Sequence, residues 1–101
     1  MKMLVIVFRE SLSNQVHALL NEHEVSAFSE LHNVAGKGET GATSQFFLDP
    51  STNRMILVAV SDAAAYRLID GFTRFRSEQE AAKSDRTFPL HVFVLPCEQA
   101  V

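Results

Sequence analysis

Three stretches of this chain, MLVIVF at residues 3–8, RMILVAV at 54–60 and LHVFVL at 90–95, are apolar almost without a break. A strand with one face in water alternates polar and apolar side chains, so an unbroken β-branched run reads as a strand covered on both faces. Only His91 interrupts the third run. This chain must therefore build a sheet that needs cover on two sides, and 101 residues offer little to cover it with. A chain of that length makes one domain with one core, here 1–101.

Helical spacing accounts for one layer of cover. After the first run, ESLSNQVHALLNEHE places Leu12, Val16, Leu19 and Leu20 on one helix face, with Ser11 positioned as its N-cap. After the second run, Asp62 is placed to cap a helix that carries Ala65, Leu68, Ile69, Phe72 and Phe75 on one side. Gly71 inside that helix costs about 1 kcal/mol relative to alanine, so a packing reason is expected for it. VSAFSELHNV, residues 25–34, reads as a further strand, and Pro96 stops the last one. The order is β-α-β, a long connection at about 35–53, then β-α-β. Split units of this kind form an α+β, ferredoxin-like βαββαβ sandwich: an antiparallel sheet with two helices on one face. The other face keeps its apolar side chains, and a monomer seldom exposes a patch beyond roughly 300–600 Å². The tail after Pro96 is too short to cover it, so an obligate homo-oligomer closed around the sheet face is expected.

Composition narrows the function. A net charge of −3 argues against a nucleic-acid binder. The apolar start meets Arg9 and Glu10 too soon for a signal peptide or a membrane span. Cys97 is the single cysteine, which fits a reducing, cytoplasmic setting and reads as a passive thiol. Ser11, Ser13 and Ser61 read as cap or turn residues, and no nucleophile and base can be assigned, so no enzyme is expected.

VAGKGETGA, residues 34–42, holds Gly36, Gly38 and Gly41 on the spacing G-x-G-x-x-G. A dinucleotide turn requires a helix directly after these glycines, whose first amides hold the pyrophosphate. Here ATSQFFLDPSTN follows, with no helical stripe and with Pro50 in it. The glycines instead permit close backbone approach to a ligand, and successive N–H groups beside Lys37 suit an anion. Phe46 and Phe47 are aromatic residues in a polar connection, where they either tuck onto the body of the protein or a neighbouring subunit, or offer a hydrophobic anchor to a partner.

The opening MKMLVIVFRESL, the glycine segment VAGKGETG, NRMILVAVSDAAAYRLID and the closing HVFVLPCEQ together resemble the PII-like proteins, relatives of the nitrogen-regulatory PII signal transducers. The resemblance covers nearly the whole chain. It implies a ferredoxin-like homotrimer with its sheets turned inward, and a T-loop at about 35–53. It also implies a small, anionic effector, an adenine nucleotide among the possibilities, bound between subunits at the base of that loop. No cofactor is otherwise implied. Gly36, Lys37, Gly38, Glu39, Thr40 and Gly41 fall at the ligand site, with Arg86 closing from the region after the second helix. Phe46 and Phe47 fall where a regulated partner, such as a transporter, is engaged. The chain departs from the PII pattern in three places, the first of which is the tail CEQAV, without the family's C-terminal arginines. EAAKSDRTFP has no glycine for a phosphate loop, though it offers Lys83 and Arg86, and the only tyrosine, Tyr66, lies on a helix, which excludes uridylylation in the loop.

The histidines give a second possibility. Glu30 and His32 share one face of a strand, a pair that suits a divalent ion in a metal-responsive, CutA-type trimer. His17 has no carboxylate four residues on and reads as solvated surface, and His23 sits near a helix end, where a protonated ring favours the dipole.

Overall fold

The computed structural model describes residues 1–35, 53–82 and 88–101. Four strands form one antiparallel sheet: β1 (Lys2–Arg9), β2 (Ser29–Val34), β3 (Asn53–Val60) and β4 (Leu90–Pro96). Their order across the sheet is β2-β3-β1-β4. A single 3-10 turn (Glu10–Leu12) leads into helix α1 (Ser13–Glu22), and α2 (Asp62–Ala82) connects β3 to β4. This is the βαββαβ arrangement expected from the order of apolar runs.

β1 is hydrogen-bonded on both sides, to β3 and to β4, and is an interior strand of the sheet. Alternation still operates within the apolar runs. Leu4, Ile6 and Phe8 of β1, Ile56 and Val58 of β3 and Leu90 of β4 are buried under the helices. Val16 and Leu20 of α1, and Ala65, Leu68 and Phe72 of α2, complete that core with Phe88. Ile69 and Phe75 pack against its edge, so the predicted stripe of α2 is the stripe that packs.

The helix ends correct three local expectations. Ser11 lies inside the 3-10 turn, and α1 starts later, with Leu12 at its N-cap and no side-chain cap bond. At α2 the cap is Ser61, whose Oγ accepts the Ala64 N–H at 3.2 Å. Asp62 occupies the first turn instead, and its carboxylate lies 2.8 Å from the Met1 amino group. The second strand starts at Ser29 and not at Val25. Residues 24 and 25 are used to close α1: Glu24 N–H donates to Asn21 O at 3.0 Å and Val25 N–H to Leu20 O at 2.9 Å. That bond pair is a Schellman closure, which requires the left-handed conformation that Glu24 adopts at φ 61°. His23, the C-cap of α1, reaches α2: a Cβ added at Gly71 would stand 2.8 Å from the His23 Nε2. Close approach of that ring is the packing reason for glycine in the middle of α2.

Candidate functional site: an open apolar face and an ion-pair cluster at the ends of β2 and β3

The strand register places the remaining apolar side chains in rows on the face opposite the helices. Leu95, Met3 and Ala59 form one row, and Phe93, Val5 and Leu57 the next. The third runs His91, Val7, Met55 and Leu31 across all four strands. Phe93 is 55% exposed, Leu95 48% and Leu31 46% in the single chain. The His91 ring stacks along the same strand on Phe93, with centroids 6.4 Å apart. These are the side chains that the unbroken runs place away from the helices.

β2 and β3 are the elements that flank the glycine segment. Their pairing runs Ser29 to Leu57, Glu30 to Ile56 and Leu31 to Met55, and then slips, because Val34 pairs with Asn53. Three steps along β2 match two along β3, so β2 carries one extra residue, a bulge. Asn33 sits in it at φ 57°, the left-handed region that asparagine enters more readily than most residues. The extra residue reverses the alternation. Val34 takes the face of its partner Asn53, which pairs with Arg9 and so lies on the open side of the sheet.

On the helix side of the same strand ends lies a cluster of charges. Arg54, the second residue of β3, donates from Nη1 to Glu30 Oε2 at 3.0 Å and to Ser13 Oγ at 3.1 Å. Its Nη2 donates to Glu10 Oε1 at 2.8 Å. His17 Nε2 donates to Glu30 Oε1 at 2.7 Å, and the His17 ring rests against Phe28 with centroids 5.7 Å apart. His32 Nε2 stands 3.5 Å from Glu30 Oε2. Glu30 is only 12% exposed and Arg54 18%. Burial pushes the Glu30 carboxyl up, but hydrogen bonds and charge from His17 and Arg54 outweigh it and hold its pKa below the ordinary carboxylate value. The Glu10 hydrogen bond, joined by that of Glu30, raises the Arg54 pKa further.

Glu30 and His32 do share a face, as their spacing predicts. The carboxylate, however, is already paired with a guanidinium, which sets a fixed positive charge where a divalent ion would bind. Among the described residues, no three His, Cys, Asp or Glu side chains converge closely enough to hold a metal. His17 is not simply solvated: its partner lies on β2 and not along its own helix. Gly36, Lys37, Gly38, Glu39, Thr40, Gly41, Phe46, Phe47 and Arg86 all lie outside the described residues. Their flanking positions are described, and Val34 and Asn53 stand paired across the sheet. A shallow groove of about 440 Å³ between the helices, lined by Leu19, Glu22 and Phe75 among others, includes none of the cluster. Among the described residues no helix is long and apolar enough to cross a membrane.

Fold and sheet face together define the class: a ferredoxin-like sandwich with one apolar sheet face left open and a long connection between its second and third strands. The chain belongs to the nitrogen regulatory protein P-II family, whose model matches residues 1–101. Among solved structures it is similar to CPII, a nitrogen regulatory PII-like protein from Thiomonas intermedia, in a structure bound to ADP, AMP and bicarbonate. That likeness is 26% identity over 93% of this chain and 82% of the other, with a TM-score of 0.68. The CPII structure with ADP and bicarbonate gives 24% identity, the same coverage of 93% and 82%, and a TM-score of 0.69. A PII-like chain from Thermus thermophilus shares the fold at 13% identity, over 93% of this chain and 82% of that one, with a TM-score of 0.58. No curated protein sequence matches the chain.

Proposed function

We propose that this protein is a PII-like signal transducer that works by binding and not by catalysis. Three copies assemble through their open sheet faces. A small anionic effector, an adenine nucleotide, binds between subunits at the base of the connection that follows Val34. The ligand contacts are Gly36, Lys37, Gly38, Glu39, Thr40 and Gly41, with Arg86 closing on the anion. Occupancy changes how the connection, through Phe46 and Phe47, meets a regulated protein such as a transporter in the cytoplasm.

The observation that carries this reading is the set of apolar rows across β4, β1 and β3. Membership of the P-II family supports the same reading. The ligands of CPII, namely ADP, AMP and bicarbonate, set the order in which effectors are tested. Pairing of Glu30 with Arg54 favours this reading over a divalent-ion sensor.

The test combines sedimentation with calorimetry of the full chain against ADP, AMP and ATP, each with and without bicarbonate. A trimer that binds nucleotide, and whose affinity falls in Lys37→Ala, is the expected result. Absence of heat and of any thermal shift at saturating nucleotide refutes the effector assignment. Unchanged affinity in Lys37→Ala refutes the role of that residue.

A further inference from the structure

The cluster on the helix side of β2 and β3 touches none of the apolar rows, yet it stands where the ladder is weakest. Between Leu31 and Val34 the backbone register is broken by the bulge. Side chains bridge that break. Glu30 lies just before it on β2 and Arg54 opposite it on β3, 3.0 Å apart. Arg54 is itself fixed from two further directions, by Glu10 of the 3-10 turn and Ser13 of α1. The bulge turns Val34, the last residue of β2, to the open face, so whatever holds the bulge fixes which face that residue presents. We infer that the Glu30–Arg54 pair is a positioning device: it locks the bulge at the end of β2 and thereby sets the affinity of the effector site. The inference rests on the effector reading above and adds two residues that touch no ligand.

A tie of this kind predicts behaviour that direct electrostatics does not. Glu30→Gln removes a negative charge, which by charge alone would tighten anion binding. As a broken tie it weakens binding, by about 3- to 30-fold, the range seen when a coupling network is cut. Arg54→Met, which also frees Glu10 and Ser13, should weaken it at least as much, and the double variant should be no worse than Arg54→Met alone, since the Glu30–Arg54 bond is already lost there. Arg54→Lys keeps the charge but lacks the fork that reaches Glu10, Ser13 and Glu30 together, so it should not restore affinity.

Two measurements decide the matter. The first is calorimetric ADP affinity of wild type, Glu30→Gln, Arg54→Met, Arg54→Lys and the double variant. The second, made without ligand, is amide hydrogen exchange at Leu31–Val34, expected to quicken in Glu30→Gln while the β1 amides stay protected. Glu30→Gln is isosteric and carries the test alone if Arg54→Met does not fold. Equal or tighter ADP binding by Glu30→Gln overturns the inference, as does unchanged exchange at Leu31–Val34 or full rescue by Arg54→Lys. A wild type that binds no nucleotide refutes the effector reading instead, and exchange then decides on its own whether the pair holds the bulge.

Discussion

Phe93→Ala isolates the open sheet face, because the side chain lies outside the helix-covered core. Burying a phenylalanine fully is worth up to about 3 kcal/mol, and with 55% of Phe93 still exposed in the single chain, assembly has about 1–1.5 kcal/mol per copy left to gain. Three copies lose about 3–4.5 kcal/mol, which lowers the trimer association constant about 140- to 1,600-fold. Because the midpoint concentration varies as the inverse square root of that constant, it rises about 12- to 40-fold. The folded single chain loses only the part already buried, about 1 kcal/mol, so its fold survives. Sedimentation velocity over a concentration series, with circular dichroism to check folding, reads both effects. A folded variant whose midpoint does not move shows that Phe93 is not at the contact. A wild type that stays a single subunit throughout refutes the reasoning about the face.

Three further outcomes are expected. Glu30 ionises below its ordinary value of 4.5 in the folded chain, so its stabilising contribution is complete above that value and is lost as pH falls through the lower folded value. The urea midpoint of wild type should therefore fall more steeply below about pH 4.5 than that of Glu30→Gln, and parallel acid limbs would contradict it. Glu24→Gly relieves a left-handed residue at the Schellman closure and should stabilise the protein by about 1 kcal/mol in thermal or urea unfolding. Gly71→Ala should gain its helix propensity of about 1 kcal/mol only in a His23→Ala background, where the ring no longer blocks the new methyl group; equal gains in both backgrounds would deny the contact.

The sheet and its faces were legible because each apolar run is continuous and each helix stripe regular. Leu4, Ile6 and Phe8 face one way and Met3, Val5 and Val7 the other, as strand periodicity requires. The ion-pair cluster was not legible, for a different physical reason. Arg54 and Glu30 are 24 residues apart and Arg54 and Glu10 are 44 apart, with no shared period linking them. Helix spacing from His17 looks along α1, whereas its carboxylate arrives from β2 once the sheet has formed. One signal was available: Arg54 is the only charged residue of its apolar run, and strand parity puts it on the helix side, where a charge needs a partner. The extent of VSAFSELHNV was overread for a related reason. Val25 satisfies the apolar pattern of a strand while serving the closure of the preceding helix.

The place of β1 between β3 and β4 also bears on how the chain is made. Met3 must find Ala59 on one side and Leu95 on the other, so its partners leave the ribosome long after it does. Until then the greasiest strand stays unpaired, and contacts so distant along the chain close slowly. Crowded expression at high temperature should therefore cost yield through aggregation of nascent chains, and slower, cooler synthesis should recover it.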